Sequence, residues 1–246
     1  MSVKGDSRIF GFHAVFARLR HSPATISEVF IDRKRRDARI RKLEERLNEA
    51  NVKTLRCDVE RLNNMLPGVS HQGVVASVTV DQTVVSLEDL IAGPSDAQLF
   101  VVLDGVTDPR NLGAIMRSAC AFGAAAIIVP KDRSVGITDV VEKVASGAAG
   151  IIPLISVTNL ARSLRLLKEA DFWIVGTDGE AEESIRDFSF TSRTVLVFGA
   201  EGSGARRLTK ETCDHLVSIP ITEVIESLNV AVSVGICLYE ATRLKS

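Results

Sequence analysis

Residues 99–119 read LFVVLDGVTDPRNLGAIMRSA: an apolar run, a polar turn, and then apolar residues at helical spacing. A continuous apolar run is typical of a strand that helices cover on both faces, as in a parallel sheet. Similar runs recur along the chain as AAIIVP, IIPLISV, FWIVGT, TVLVFG and LVSIPI. Helices are predicted over residues 112–122, 138–148, 159–170 and 228–243. The pattern predicts an α/β domain with a parallel sheet over residues 99–246, in which the last helix, apolar on nearly all sides, is buried.

The residues before this domain follow a different pattern of shorter elements. Strands are predicted over residues 27–32, 52–58 and 71–80, with helices over residues 9–19, 33–50 and 59–66. Such alternation predicts a small α/β domain over residues 1–80, and the helix at 33–50 should bury one narrow stripe of Ile40, Leu43 and Leu47. Residues 81–98 are acidic at first and then contain Gly93 and Pro94, which is typical of a linker.

The charge of the chain is divided unevenly between these parts. Residues 1–80 carry 15 Lys and Arg against 9 Asp and Glu, whereas residues 81–246 carry 15 against 22. Seven cations crowd the start of the helix predicted at 33–50: Arg33, Lys34, Arg35, Arg36, Arg39, Arg41 and Lys42. Such a cluster is suited to the phosphates of a nucleic acid. Four acids dilute it (Asp32, Asp37, Glu44 and Glu45), so a solvated helix face remains the alternative.

Several classes of protein are disfavoured by what the sequence lacks. The first ten residues have no apolar core like that of a signal peptide, and the apolar run at 230–239 is too short to cross a bilayer. Neither the four cysteines nor the four histidines stand at ligand spacing, so no metal site and no disulfide are predicted. The expectation is a cytoplasmic protein that holds its cysteines as small buried hydrophobes and does not associate with membranes.

Three loops follow predicted strands, over residues 104–111, 199–207 and 219–229. Because open parallel sheets bind ligands at the carboxyl ends of their strands, these loops are expected to carry the functional site. The second loop contains Gly199, Gly202 and Gly204, which permit a tight turn and close approach of a ligand to the backbone. It lacks the G-x-G-x-x-G fingerprint, and this disfavours a dinucleotide-dependent oxidoreductase.

Most polar residues of these loops also have a purely structural explanation. Asn111 and Ser227 stand where helices are predicted to begin, and both residue types are favoured N-caps. Arg117 lies away from the apolar face of its helix, as a surface arginine would. Asn229 is different, because an amide in the first turn of a buried helix must find hydrogen-bond partners.

Taken together and in this order, the three loops resemble the three sequence motifs of the SpoU (TrmH-like) RNA 2′-O-ribose methyltransferases. The segments are LDGVTDPRNLGAIMRSA, VFGAEGSGARRLT and SIPITEVIESLNVAVSVGICLYEA. IFGFHAV and HQGVVASV resemble the small RNA-binding domain of two-domain members of the family. KDRS, VASGAAG and PLISVTNLARSLRLLKE resemble the bacterial members that methylate a guanosine ribose in 23S rRNA.

The resemblance implies a fold that the strand pattern alone does not suggest. Residues 99–246 would form a SPOUT domain, whose parallel sheet contains a deep trefoil knot made by threading the C-terminal segment through a loop. Residues 1–80 would form a ribosomal-protein-like (L30e/L7Ae-like) RNA-binding domain. The family acts as a homodimer, with the active site completed across the interface.

The resemblance also assigns residues to roles. S-adenosylmethionine would be held by Gly199, Ile219 and Leu228, and the active-site positions are Asn111, Arg117, Glu201, Ser227 and Asn229. Glu201 is available to accept hydrogen bonds from Asn111 or Arg117, and Glu223 stands where the family usually has glycine.

Two points stay open at the level of sequence. Arg117 either takes the proton of the ribose 2′-hydroxyl, or stays charged, anchors the adjacent phosphate and stabilises the developing alkoxide. A tRNA methyltransferase of the same family, or a non-catalytic RNA-binding protein of ribosome assembly, remains an alternative to the 23S rRNA enzyme.

Overall fold

The structure is a computed structural model that describes residues 5–68, 70–80, 86–93, 98–222 and 224–243. The chain forms two compact units. The first consists of Met1–Val84 with Ser146–Ile151, and the second of Val85–Ala145 with Ile152–Ser246.

The first unit is built on a mixed four-stranded sheet in the order β1-β4-β2-β3. Its elements are β1 (Gly5–Phe10), α1 (Phe12–His21), β2 (Ile26–Asp32), α2 (Ala38–Glu49), β3 (Lys53–Cys57), α3 (Val59–Met65) and β4 (Val74–Val80), with 3₁₀ turns at Pro23–Thr25 and Ala148–Gly150. β4 is antiparallel to β1 and β2, whereas β2 and β3 are parallel. The stripe predicted on α2 is confirmed, because Ile40, Leu43 and Leu47 are fully buried.

Two helix starts in this unit differ from the sequence prediction. The helix predicted from residue 9 begins at Phe12, because residues 5–10 form β1 and Gly11 turns the chain with a φ of 78°. The helix predicted from residue 33 begins at Ala38, because the Asp37 side chain accepts hydrogen bonds from the amides of Arg39 and Ile40 and acts as its N-cap.

The second unit is built on a seven-stranded sheet in the order β7-β6-β5-β10-β8-β11-β9, in which every pairing is parallel. Its strands are β5 (Gln98–Asp104), β6 (Ala126–Pro130), β7 (Leu154–Val157), β8 (Trp173–Thr177), β9 (Glu183–Ser184), β10 (Arg193–Gly199) and β11 (His215–Ser218). Its helices are α4 (Leu87–Ile91), α5 (Pro109–Ala121), α6 (Asp139–Ala145), α7 (Leu160–Glu169), α8 (Arg207–Thr212) and α9 (Val230–Thr242). The predicted parallel sheet is confirmed, and all seven residues of β5 are buried, as the apolar run predicts.

The segment predicted as a linker, residues 81–98, differs in its described part. Residues 87–91 form α4, whose Ser86 closes a capping box with Asp89. Leu87 packs into the same core cluster as Phe100 of β5. Residues 86–93 therefore fold with the second unit.

The order of the strands places a crevice at one end of the sheet. The chain leaves β5 toward β6 and leaves β10 toward β11, so the adjacent strands β5 and β10 send it in opposite directions. Such a switch point opens a ligand crevice at the carboxyl ends of the two strands. Asp104 and Gly199, the last residues of β5 and β10, are paired in register there.

The expectation that the last helix is buried holds for only part of its surface in the single chain. α9 packs against α5, and its buried residues include Val230, Val234 and Leu238. Tyr239 meets the ring of Phe122, at the end of α5, edge to face at 6.3 Å, yet it remains 56% exposed, and Val232 is 50% exposed. α9 thus keeps exposed apolar surface at these two residues.

Candidate active site

The turn between β5 and α5 begins its helix earlier than predicted. Asp108 is the N-cap, with its side chain accepting from the amide of Arg110 at 2.8 Å, and Pro109 occupies the first helical position. The N-cap explanation of Asn111 is therefore wrong. Asn111 lies within the first turn of α5, and its side chain does not cap the helix.

The loop between β10 and α8 folds tightly back on itself. Ala200 and Gly204 exchange backbone hydrogen bonds of 3.1 and 2.9 Å, with Gly202 and Gly204 at φ values of 78° and 67°. A Cβ atom on Gly199 would lie 1.9 Å from the amide nitrogen of Ala205. Only glycine fits at position 199, because the returning backbone fills the space of a side chain.

A buried carboxylate fastens this loop to the end of β5. The Asp104 side chain is 1% exposed. It accepts hydrogen bonds from the Arg206 amide at 3.0 Å, from Nε of Arg206 at 2.7 Å and from Oγ1 of Thr209 at 2.7 Å. Sequence reasoning did not single out Asp104, although an acid at the end of a wholly apolar strand signals a buried charge that needs partners.

Replacing Asp104 with asparagine is expected to lower the free energy of unfolding by about 2–3 kcal/mol. The asparagine amide would turn an N–H donor toward the donors of Arg206 and Thr209. The loss of stability is smaller than for a fully buried ion pair, because the Arg206 side chain is half-exposed. Urea denaturation measures the change. Asp108→Asn is the matched control, because asparagine caps a helix as well as aspartate does. Equal unfolding curves for Asp104→Asn and the unmodified protein would contradict the role given to this carboxylate.

The start of α9 is capped by Asn229 and not by Ser227. The Asn229 Oδ1 atom accepts from the amides of Ala231 at 3.0 Å and Val232 at 3.3 Å. Its Nδ2 atom donates to Oε1 of Glu201 at 2.7 Å and to Oδ1 of Asn111 at 3.0 Å. The predicted need of this amide for hydrogen-bond partners is confirmed.

Asn111, Glu201 and Asn229 thus form one hydrogen-bonded network from three loops. Because the helix amides fix the oxygen of Asn229, its NH₂ group must face the other two side chains. Asn111 then accepts through Oδ1 and donates through Nδ2 to Oε1 of Glu201 at 3.3 Å, so the expected pairing of Glu201 with Asn111 is confirmed. Within the described residues, Oε2 of Glu201 has no hydrogen-bond partner and is free to accept from a ligand.

Two predicted site residues stand apart from this network. Arg117 is exposed, and in the part of the chain that the structure describes its guanidinium has no hydrogen bond or ion pair. It follows Asn111 by six helical residues, which is about 9 Å along α5 and about 240° around it. Ser227 is also exposed and makes no side-chain hydrogen bond to any described residue.

The three residues assigned to the cofactor lie at the same edge of the sheet. Gly199 ends β10, Ile219 follows β11, and Leu228 precedes the cap of α9; all three are half-buried. Over residues 219–222 and 224–228, no backbone hydrogen bond is formed with the backbone of another described residue. Glu223, which stands where the family usually has glycine, lies outside the described residues.

The remaining ionisable groups do not suggest another chemistry. No cluster of three metal-ligating side chains occurs among the described residues. Burial raises the pKa of the Cys213 thiol to about 12 and also raises the pKa of Cys237, so both thiols remain protonated near neutral pH. None of the helices in the described ranges is both long and apolar enough to span a membrane.

Both units match known family models. Residues 98–239 match the SpoU rRNA Methylase family, and residues 8–84 match a domain described as RNA 2′-O ribose methyltransferase substrate binding. The first match alone covers more than half of the chain.

Full-length relatives and a solved structure give the same family. The chain is 50% identical to the 23S rRNA (guanosine-2′-O-)-methyltransferase RlmB of Ralstonia nicotianae, over 97% of this chain and 96% of that protein. It is 48% identical to the protein of that name from Escherichia coli, over 97% and 98%. The SpoU methyltransferase AviRb of Streptomyces viridochromogenes, solved with AdoMet, is 26% identical, with a TM-score of 0.74 over 98% of this chain and 91% of that one.

Proposed function

The chain belongs to the SpoU rRNA methylase family, and from that membership we propose that it is an RNA (guanosine-2′-O-)-methyltransferase. Its substrates are S-adenosylmethionine and the ribose 2′-hydroxyl of a specific guanosine in 23S rRNA. The observation that carries the proposal is the network of Asn111, Glu201 and Asn229, which joins the three motif loops at the switch point of the sheet. An rRNA substrate would place the enzyme in the cytoplasm, where ribosomes are assembled.

The residues at the crevice fit S-adenosylmethionine. Ile219 and Leu228 would hold S-adenosylmethionine through half-buried aliphatic surface, and backbone groups beside them would supply hydrogen-bond donors and acceptors. Gly199 lets the returning loop pass close to the end of β10. When bound, S-adenosylmethionine supplies an electrophilic methyl group on a positively charged sulfur.

The chain itself must align the ribose and manage the proton of the 2′-hydroxyl. Orientation of the reactants can contribute roughly 7–11 kcal/mol. Asn111, Ser227 and Asn229 position the ribose and the target base, and Glu201 fixes the two asparagines while its free Oε2 accepts from a hydroxyl group.

Arg117 is assigned to the reacting ribose in its charged form. A guanidinium in contact with water stays protonated, so a role as general base would demand a large change of environment. In the charged form it anchors the adjacent phosphate through two hydrogen bonds and stabilises negative charge on the 2′-oxygen. The exposure of Arg117 in the single chain favours this version.

Residues 1–80 act in this proposal as the RNA-binding domain and residues 99–246 as the knotted SPOUT domain. The basic excess of the first domain supports its role with RNA. The knot is supported by the position of the cap of α9, where Asn229 closes onto the two earlier loops through Glu201 and Asn111.

We further propose that the enzyme is a homodimer that pairs through α9. Val232, Ile236 and Tyr239 recur at the i, i+4 and i+7 spacing of one helical stripe, of which Val232 and Tyr239 are exposed and Ile236 is half-buried in the single chain. A second copy would bury it and bring further residues to the site. The separation of Arg117 from the network is consistent with a site that needs both copies.

Val232→Glu is expected to convert the dimer to a monomer and to lower methyl transfer with it, because a charge would be buried between the two copies. Sedimentation velocity measures the assembly state. Leu208→Glu on α8 is the matched control, because Leu208 is equally exposed but lies outside the stripe. A Val232→Glu protein that stays dimeric would place the interface elsewhere.

Transfer of labelled methyl groups tests the proposed function directly. We expect incorporation into unmodified 23S rRNA, with the label on one guanosine ribose, and none into unmodified tRNA. Methylation of tRNA alone would assign the chain to the tRNA-modifying enzymes of the family. Absence of both transfer and S-adenosylmethionine binding would leave only a non-catalytic role.

A further inference from the structure

The first unit contains a cavity of about 570 Å³ whose described lining consists of four arginines: Arg33, Arg36, Arg41 and Arg56. Arg33 and Arg36 belong to the loop that follows β2, Arg41 to the first turns of α2, and Arg56 to β3. The cavity therefore collects side chains from three neighbouring elements of one unit. It lies far along the chain from the motif loops and takes no part in the site described above.

Two of these arginines are held in place by acids. Nη2 of Arg56 lies 2.6 Å from Oε1 of Glu44, and Nη1 donates to the backbone oxygen of Arg35 at 2.6 Å. Nε of Arg33 lies 3.0 Å from Oδ1 of Asp58. These contacts fix the two guanidinium groups while neutralising their charge.

The other two arginines form no ion pair with any described residue. Within the described residues, the side chains of Arg36 and Arg41 have no ion pair and no hydrogen bond, and both are exposed. Of the four guanidinium groups, two are paired with Asp58 and Glu44, and two have no ion pair with a described residue. Repulsion between such groups disfavours the empty site and favours an anion in it.

Two other acids of the basic stretch, Asp32 and Asp37, make their side-chain hydrogen bonds outside the four lining arginines. Asp37 accepts from Nε of Arg35 at 2.8 Å and from the amides of Arg39 and Ile40. Asp32 accepts from the amide of Lys34 at 3.0 Å. The Asp37 side chain already accepts from the backbone amides at the start of α2. An anion in the cavity would therefore be bound by guanidinium groups and not by the amides of this helix.

From this geometry we infer that the cavity binds a phosphodiester group of the RNA backbone, through Arg36 and Arg41. Guanidinium pairs bind phosphate oxygens bidentately, and the volume admits a phosphate with part of its flanking sugars. Contacts of this kind give affinity and register but no sequence discrimination. The inference rests on the proposed action on RNA and names the chemical group that this part of the chain holds.

The test compares a double variant, Arg36→Ala with Arg41→Ala, against the unmodified full-length protein. Affinity for an unmodified 23S rRNA transcript is measured between 50 and 200 mM salt. We expect the Kd at low salt to rise roughly tenfold or more, and the slope of log Kd against log salt to fall by about 1–2. An RNA of scrambled sequence and equal length should lose affinity by the same factor.

The control double variant, Arg20→Ala with Arg46→Ala, removes the same charge from exposed positions outside the cavity. We expect its Kd to change less than twofold. An equal loss of RNA affinity in both double variants would show that only net charge matters, and this would overturn the inference. Unchanged RNA affinity in both double variants would overturn it as well. Titration with inorganic phosphate is a further arm: phosphate binding that the first double variant loses, with RNA affinity unchanged, would assign the cavity to a free anion instead.

A failure of phosphate binding at the cavity can be distinguished from a failure of the proposed methyl transfer. With saturating RNA, the Arg36→Ala, Arg41→Ala protein should bind S-adenosylmethionine normally and keep its kcat, so that only KM for RNA rises. If the unmodified protein transferred no methyl group, the proposed function would fail, and the binding comparison would still decide the cavity.

Discussion

Replacing Arg117 with alanine is expected to lower kcat for methyl transfer by roughly 10²–10³-fold, with affinity for S-adenosylmethionine unchanged. The guanidinium is assigned to the phosphate beside the target ribose and to charge on the 2′-oxygen, so its loss acts mainly on the transition state. Single-turnover transfer to 23S rRNA measures the chemical step. Arg110→Ala, on the same helix and also exposed, is the matched control and should retain its rate.

The lysine variant separates the two roles considered for Arg117. A retained positive charge should give Arg117→Lys an intermediate rate with little dependence on pH, because lysine is a point charge without the bidentate fork. Activity that rises with pH as the lysine loses its proton would instead favour the general base. Intact chemistry in Arg117→Ala, with only RNA affinity lowered, would remove Arg117 from the reaction.

Gly199→Ala should abolish both S-adenosylmethionine binding and methyl transfer. The added Cβ would lie 1.9 Å from both the Ala205 nitrogen and the Gly204 carbonyl carbon, a separation that no rotamer change relieves. The loop must therefore move away from β10, and Glu201 moves with it. Calorimetric titration with S-adenosylmethionine and urea denaturation measure the two consequences.

Gly202→Ala is the matched control for that substitution. Its Cβ would meet nothing within 4 Å, and its only penalty is the positive φ, about 1–2 kcal/mol. We expect this variant to bind the cofactor with lower stability. Normal cofactor affinity in Gly199→Ala would show that the loop tolerates displacement and would contradict the proposed role of its close return.

The sheet could be predicted from the sequence because its signal is local. The apolar run at β5 requires cover on both faces, and its seven buried residues satisfy that requirement. The two-residue strand β9 and the short helix α4 carry too little periodicity to be recognised. The predicted start of α5 is wrong because the apolar spacing does not include the first turn of the helix. Asp108 is the N-cap and Pro109 is the first helical residue, and these are signals of residue type and not of spacing.

The site was only partly predictable, because its contacts join residues far apart in the chain. Asn229 required partners, but nothing local indicates that they are Glu201 and Asn111. Asp104 is a second case: its hydrogen-bond partners, Arg206 and Thr209, lie about a hundred residues later, at the cap and in the first turn of α8, and they explain why a charge is tolerated at 1% exposure. Arg117 gains its assignment from the family pattern, since it has no hydrogen bond or ion pair with any described residue.

The Asn229 side chain makes two sets of hydrogen bonds, and a change in one set affects the other. The same side chain completes the first turn of α9 through Oδ1 and holds Glu201 through Nδ2. A ligand that strengthens the hydrogen bonds of the network must therefore also stabilise the start of α9. A change that destabilises the start of α9 must in turn lower the affinity for that ligand. If two copies pair through α9 as proposed, occupancy of the crevice and assembly of the dimer would both act on this helix, so substrate and partner copy would each change the affinity for the other.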